Sequence, residues 1–177
     1  MNYYDIQKGV RHIVNMKMIK KTASFIISYM FFGKVRIRSK VNLLLFMKKR
    51  RIMKIFRIII QEQLRRKCHI IIAENSIIGS IVLPHPHNIV IGRETIIGKN
   101  CIIYHDVTIG QNKNLFPKIG DNVIIYPGAK VIGGISIGDN VVIGANAVVT
   151  TNVPDNAIIG GIPAKIIRYR VAQDVFS

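Results

Sequence analysis

Apolar residues recur with an unusual period along the second half of the chain. From Ile91 onward an isoleucine or valine returns at every sixth residue, with a single break before Ile119. A glycine or another small residue often follows directly, and a small or β-branched residue sits four positions further on. The repeating positions are Ile91, Ile97, Ile103, Ile109, Ile119, Ile125, Val131, Ile137, Ile143 and Val149.

A period of six excludes the two common elements as an explanation. An α-helix repeats every 3.6 residues, and a half-exposed strand alternates every two. The pattern predicts a coil of short strands and tight turns, in which the apolar residue of each hexad points inward and stacks on its equivalents above and below. The glycine that follows permits turn geometry that a Cβ atom would obstruct.

The repeat is interrupted at two points. It is one residue out of step before Ile91 and carries four extra residues before Ile119. These interruptions lie beside His85 and Phe116. We therefore expect the chemistry of the protein where the repeat fails.

The first seventy residues show a different pattern, with apolar positions three and four residues apart and basic residues between them. This spacing predicts an amphipathic helix that ends near residue 70. Two roles stay open for it: its apolar face packs on the coil or on a neighbouring subunit, or its basic face rests against anionic lipid. The apolar positions are Ile52, Ile55, Phe56, Ile59, Ile60 and Leu64. The predicted organisation is a basic helical region 1–70, a coil domain 71–168 and a tail 169–177.

The net charge of +17 belongs almost entirely to this first region. Residues 1–70 hold 18 Lys and Arg against Asp5 and Glu62, whereas the rest of the chain is nearly neutral. No zinc-finger, RNA-recognition or helix-turn-helix signature accompanies the charge, so nucleic acid is not expected as a partner. Two cysteines and a longest apolar run of about ten residues, too short for a bilayer, predict a cytoplasmic protein.

Four motifs outside the bare hexads are more specific. In chain order they are Leu83-Pro84-His85-Pro86-His87, Val107-Thr108-Ile109-Gly110, Phe116-Pro117-Lys118-Ile119-Gly120 and Gly161-Ile162-Pro163-Ala164-Lys165. In this order and spacing the chain from about Ile77 to Arg168 resembles the hexapeptide acyltransferases. Within that family it looks most like the serine acetyltransferases and the sugar O-acetyltransferases of surface-polysaccharide pathways.

The resemblance implies a left-handed parallel β-helix with three hexads per triangular coil. It also implies a homotrimer with active sites between the subunits, and transfer of acetyl from acetyl-CoA to an alcohol. An alcohol is a poor nucleophile near neutral pH, so a positioned base must take its proton, and an imidazole suits that task. His85 matches the family's catalytic histidine; the alternative is a turn residue between two prolines.

Two further histidines, His87 and His105, are 18 residues apart, which is one full coil of three hexads. They should stack on neighbouring coils near the same cleft, where they either orient the acceptor or are plain surface residues. Asp106 is placed with them in the acceptor site. The histidine spacing does not match the zinc site of carbonic anhydrases built on this coil, so no metal is expected.

Some positions depart from the serine acetyltransferase pattern. Leu115 and Phe116 stand where that branch carries an arginine and a second histidine, and the loop from Gln111 to Phe116 is shorter. The aspartate that steadies the catalytic imidazole has no match, and Glu74 or Asp106 is left as a substitute. These departures favour a sugar hydroxyl as the acceptor, with Phe116 among the residues that contact it.

For acetyl-CoA the resemblance points to the coils that follow His85. Gly110, Gly128 and Ala145 match positions along which the pantetheine arm lies, although every hexapeptide protein has small residues in its turns. Lys165 and Arg168, just after the last coil, would meet the CoA phosphates, or are solvated surface charges.

The leading hypothesis from the sequence is an acetyl-CoA-dependent O-acetyltransferase acting on a sugar in surface-polysaccharide synthesis. The basic segment 1–70 would place it near an anionic membrane and its glycan intermediates. The alternatives are serine O-acetylation for cysteine synthesis and a non-catalytic β-helix used for assembly.

Overall fold

The computed structural model describes residues 41, 42, 44 and 54–171. Most of the predicted helical region 1–70, and therefore its predicted lipid-binding face, lies outside the described residues. The continuous described segment begins with helix α1 (Lys54–Cys68), and a series of short strands follows it.

Fifteen strands of two to five residues follow the helix. They are β1 (Ile71–Ile72), β2 (Ile77–Ile78), β3 (Ile81–Val82), β4 (Val90–Ile91), β5 (Ile96–Ile97), β6 (Cys101–Ile103), β7 (Thr108–Gly110), β8 (Lys118–Ile119), β9 (Ile124–Ile125), β10 (Lys130–Ile132), β11 (Ser136–Ile137), β12 (Val142–Ile143), β13 (Val148–Val149), β14 (Ala157–Gly160) and β15 (Lys165–Tyr169).

The strands form three sheets that are the three faces of one coil. Sheet A has the order β1-β4-β7-β10-β13, sheet B β11-β8-β5-β2, and sheet C β15-β14-β12-β9-β6-β3. Pairing is parallel everywhere except between β14 and the returning β15. The chain passes from sheet A to B to C and back to A on the next coil. This is the predicted parallel β-helix, and its hexapeptide repeats fit the left-handed form.

The register shows how the interruptions of the repeat are absorbed. Val90 pairs with Thr108, eighteen residues on, which is the undisturbed coil of three hexads. The pairing of Ile71 with Val90 spans nineteen residues, and that of Thr108 with Lys130 spans twenty-two. The strands therefore stay paired across these coils, and the extra residues lie in the turns between strands.

The interior of the coil is filled by the residues of the six-residue repeat. Ile91, Ile109, Ile125 and Ile143 are completely buried, and each stacks on its equivalents in the coils above and below. Such columns of branched side chains fill the space between short parallel strands at the density of a protein interior. The core is thus set by the position of each residue within its hexad.

The edges of the coil are turned by residues in the left-handed backbone region, and asparagine is the most frequent of them among the described residues. At the edge between sheets B and C, Asn100, Asn122, Asn140 and Asn156 have φ between 56° and 61°. Their side-chain amides bond from coil to coil, at 3.4, 3.2 and 3.1 Å. Asparagine tolerates this conformation better than other residues with a side chain. We call this edge the asparagine corner.

Helix α1 lies against the first coil. Ile60 and Leu64 are buried, while Arg65 and Arg66 are exposed on the other face, as the amphipathic pattern predicts. Gln61 donates a hydrogen bond from Nε2 to the carbonyl of Ile72 in β1, at 3.0 Å. These contacts support the packing role for the last turns of the basic segment. The end of the helix therefore covers apolar surface that the first coil would otherwise expose.

Glu62 holds the two arginines of this helix together. Its carboxylate accepts hydrogen bonds from Arg65 and Arg66, and these bonds lower the pKa of Glu62 to about 2. All three groups face solvent, where salt screens the attraction, so the pairs add little to stability.

Both cysteines are buried. Cys101 lies in β6, its thiol donates toward the carbonyl of Gly120 at 3.2 Å, and burial raises the pKa of that thiol.

Since a thiolate is the reactive form, we expect neither Cys68 nor Cys101 to react with a thiol reagent in the native protein at neutral pH. Both should react after unfolding in guanidinium. Colorimetric thiol counting checks this, with the exposed variant Thr151→Cys as positive control. Rapid labelling of the native chain would contradict the buried placement.

Among the residues that the structure describes, no helix is long and apolar enough to cross a membrane.

Candidate active site

The turns from sheet C to sheet A bring the sequence-predicted histidines to one edge of the coil. On successive coils these turns are residues 83–89, 104–107, 126–129 and 144–147. We call this edge the histidine corner. The second edge, between sheets A and B, carries the four-residue insertion and is called the loop corner.

His85 is exposed at the histidine corner, between Pro84 and Pro86. Its ring contacts two aromatic rings of the next coil. The ring centroids are 6.2 Å apart for Tyr104, at 36°, and 6.0 Å apart for His105, at 80°. The imidazole is therefore accessible to a substrate and lies near two rings of the next coil.

His87 and His105 lie on neighbouring coils, as their 18-residue spacing predicts. The backbone amide of Asp106 donates to the carbonyl of His87 at 3.1 Å, which links the two turns. Their rings, however, contact other histidines. His105 contacts His85, whereas His87 contacts His69, with centroids 5.5 Å apart.

Asp106 is held from two sides. Its carboxylate accepts a hydrogen bond from Asn88 Nδ2 at 2.7 Å, and its backbone carbonyl accepts one from Lys130 Nζ at 2.6 Å. The other carboxylate oxygen lies 3.9 Å from His105 Nε2. Glu74, the other acid left open by the sequence, lies in the turn between β1 and β2 at the loop corner. Of the two acids, Asp106 is the one at the same corner as His85.

Sequence reasoning missed three side chains of this corner. Tyr104 and Tyr126 stack with centroids 5.3 Å apart and planes 8° apart, and His69 adjoins His87. One coil beyond Tyr126 the equivalent position is Gly144, as the matching backbone bonds to the following coil show. The stack of aromatic rings therefore ends at Tyr126, because the next position along this edge is a glycine without a side chain.

Two of the residues assigned to acetyl-CoA share the histidine corner. Gly128 turns there with φ of 78°, and a Cβ atom on it would collide with the side chain of Asn146. Ala145 is exposed in the turn of the following coil. Both lie on the coils that follow His85 along the same edge.

The other three residues assigned to acetyl-CoA lie elsewhere. Gly110 ends β7 in sheet A, paired with Ile132. Lys165 and Arg168 are exposed on β15, which returns antiparallel along the edge of sheet C beside β14. These three positions are therefore spread over two faces of the coil.

Leu115 and Phe116 stand at the loop corner. The insertion folds back on itself through paired backbone bonds between Asn112 and Leu115. Leu115 packs over Gly134, and the ring of Phe116 packs over Gly92. Leu115 remains 61% exposed. Within one chain, therefore, Phe116 and His85 occupy different corners of the triangle.

Within the described part of the chain, no group of three His, Cys, Asp or Glu side chains is arranged to hold a metal ion.

Comparison with known proteins places the repeat among transferases. Residues 116–151 match the family model described as bacterial transferase hexapeptide (six repeats). The serine acetyltransferase of Synechococcus elongatus is 42% identical over 91 residues, which are 49% of this chain and 37% of that protein. The serine acetyltransferase of Staphylococcus aureus is 44% identical over 92 residues, 50% of this chain and 43% of that protein. This chain thus matches less than half the length of these curated relatives.

Solved structures agree with this similarity. A serine acetyltransferase from Brucella abortus superposes with a TM-score of 0.67 at 30% identity, over 75% of this chain and 56% of that one. Another structure of that enzyme is in complex with coenzyme A (TM-score 0.65, 29% identity, covering 75% and 55%). The Neisseria gonorrhoeae enzyme in complex with serine gives 0.57 at 32% identity, covering 68% and 50%. The β-helix of this chain therefore carries bacterial transferase hexapeptide repeats and is similar, in sequence and structure, to the serine acetyltransferases.

Proposed function

We propose that this protein is an acetyl-CoA-dependent O-acetyltransferase with His85 as general base. The observation that carries the proposal is an exposed imidazole at the histidine corner, in a repeat domain similar to serine acetyltransferases. The accessible turns at Gly128 and Ala145 follow it along the same edge. A non-catalytic assembly module would have no need of this arrangement.

The reaction follows from the chemistry of the groups involved. His85 takes the proton of the acceptor hydroxyl as its oxygen attacks the acetyl carbonyl carbon. The C–S bond of the thioester then breaks, and the departing CoA sulfur takes the proton from the imidazolium. One proton moves from alcohol to thiol, and one acetyl group moves the other way. General-base assistance of this kind contributes about 10² to 10⁴ in rate.

Acetyl-CoA would lie along the histidine corner on the coils that follow His85. Small residues at Gly128 and Ala145 put little side-chain bulk in the way of the pantetheine arm. A CoA complex of a similar enzyme supports this co-substrate. Lys165 and Arg168 would act as cations for the phosphates only if the nucleotide end reaches the edge of sheet C.

We propose a homotrimer, because His85 and Phe116 lie at different corners of one chain and a neighbouring subunit would bring the two corners together. The outer face of sheet C supports packing against a second copy, since its register aligns five apolar residues over five coils. These are Val82, Ile102, Ile124, Val142 and Ile158.

Serine is the acceptor that the relatives favour, over the sugar predicted from the sequence. The similar proteins are serine acetyltransferases, and one of their structures holds serine. A sugar hydroxyl remains the second candidate for one reason. Leu115 and Phe116 put an exposed apolar side chain and an aromatic ring on the loop corner, where they would contact a ring face better than a charged amino acid.

The acceptor is tested by CoA release from acetyl-CoA, measured with a thiol reagent, with L-serine and a panel of nucleotide sugars and glycans. We expect release above the acceptor-free rate with serine, and mass spectrometry should find O-acetylserine in equal amount. Release with a glycan but not with serine would favour the second candidate. No acceptor-dependent release from a folded protein would contradict the acetyltransferase itself.

A further inference from the structure

His85 lacks the carboxylate that usually orients a general-base histidine. Its imidazole makes no hydrogen bond within residues 54–171, and its contacts are the rings of Tyr104 and His105. A base on an exposed turn that is free to rotate would rarely present the correct nitrogen to an alcohol. Another group must therefore restrict its orientation if it is to work efficiently.

The two nitrogens of His105 have different surroundings. Nε2 faces the carboxylate of Asp106 at 3.9 Å, while Nδ1 is buried and has no hydrogen-bond partner among the described residues. A buried nitrogen without a partner is destabilising, because it has lost its hydrogen bond to water. A neutral imidazole has one donor and one acceptor nitrogen, and a carboxylate beside Nε2 favours the proton on Nε2. Nδ1 is then left as an acceptor.

Asp106 is fixed firmly enough to impose this choice. Asn88 holds its carboxylate at 2.7 Å and Lys130 holds its backbone carbonyl at 2.6 Å. The carboxylate therefore keeps its place beside His105 without depending on His85.

We propose that His105 is the positioning residue for His85, and that Asp106 sets the tautomer of His105. This rests on the proposed function of His85 as base. Nδ1 of His105 accepts the N–H of His85 after a small rotation of the exposed His85 ring, and the other nitrogen of His85 is left free for the proton of the alcohol. In free enzymes such catalytic hydrogen bonds are often long or poorly aligned and tighten when substrate binds. His105 and Asp106, consecutive residues in one turn of the next coil, thereby replace the missing aspartate.

Kinetics of matched variants test the role. His105→Ala removes the ring, and His105→Phe keeps a ring but removes both nitrogens. We expect each to lower kcat about 10- to 100-fold, with KM for acetyl-CoA unchanged within about twofold. Asp106→Asn should lower kcat less, by about 3- to 10-fold, because it leaves the His105 ring in place. In a His85→Ala background the same changes should alter the residual rate less than about twofold, because His105 acts only through His85.

A second readout does not need activity. Imidazole ¹⁵N NMR at alkaline pH reports which nitrogen of each neutral histidine carries the proton. We expect His85 to hold one dominant tautomer in the unsubstituted protein and a changed ratio in His105→Phe. An identical ratio in both proteins would overturn the positioning role, whether or not the chain proves to be an acetyltransferase. Full activity of His105→Phe would also overturn the positioning role. The same holds if His105→Phe raises only the KM for the acceptor and leaves kcat unchanged.

Discussion

Replacing His85 by alanine should lower kcat for acetyl transfer at least about 10²-fold, the contribution of a positioned general base. Without the imidazole the acceptor must lose its proton to water while it attacks the thioester. Binding of acetyl-CoA should change little, because the small turn residues proposed for it lie on later coils. Steady-state rates of CoA release and calorimetric titration of CoA separate these two effects.

Lys99→Ala supplies the matched control for this variant. Lys99 is exposed at the asparagine corner, away from the histidine cluster, and contributes its backbone amide rather than its side chain to the coil. We expect it to leave kcat unchanged. Near-normal turnover of a correctly folded His85→Ala protein would remove His85 from the mechanism.

Replacing Ile125 by alanine should lower the free energy of unfolding by about 3 kcal/mol, within the range for deletion of a buried isoleucine. Ile125 is fully buried in β9, between Ile103 and Ile143 of the neighbouring coils. The cavity would lie in the middle of a column that cannot collapse without moving two further coils. Chemical denaturation at fixed protein concentration measures the loss.

Ile77→Ala is the corresponding control. It also lies in a two-residue strand, but its side chain is 64% exposed, so we expect a loss below about 1 kcal/mol. Equal losses at Ile77 and Ile125 would contradict the inward placement of the six-residue repeat.

The β-helix could be predicted in detail because the residue pattern within each hexad by itself indicates which side chain points inward. The inward position of Ile103, Ile125 and Ile143 follows from the period, without any knowledge of what lies across the core. The two interruptions named from the sequence could be predicted, since the register steps of nineteen and twenty-two residues match the one and four extra residues counted there. Two further steps in sheet C, of twenty and sixteen residues, were not predicted. Local repetition leaves few alternative pairings.

The histidine corner could be predicted only in part. The spacing of 18 residues places His87 and His105 on neighbouring coils. His69 lies one coil before His87, where a coil spans nineteen residues. His69 was missed because it was placed with the helical region 1–70. Tyr104 and Tyr126 were missed because they are 22 residues apart, and the insertion between them hides their common position in the coil.

The sequence by itself determined the coil, its inward residues and the candidate base His85, because these depend on a local period and on a motif. The tertiary structure decided which side chains meet. It paired His85 with His105 rather than His87 with His105, brought Asp106 to the site and left Glu74 at another corner. It also separated Phe116 from His85 within one chain. The physical reason is that ring contacts depend on how the turns project side chains from adjacent coils, which residue spacing alone does not specify.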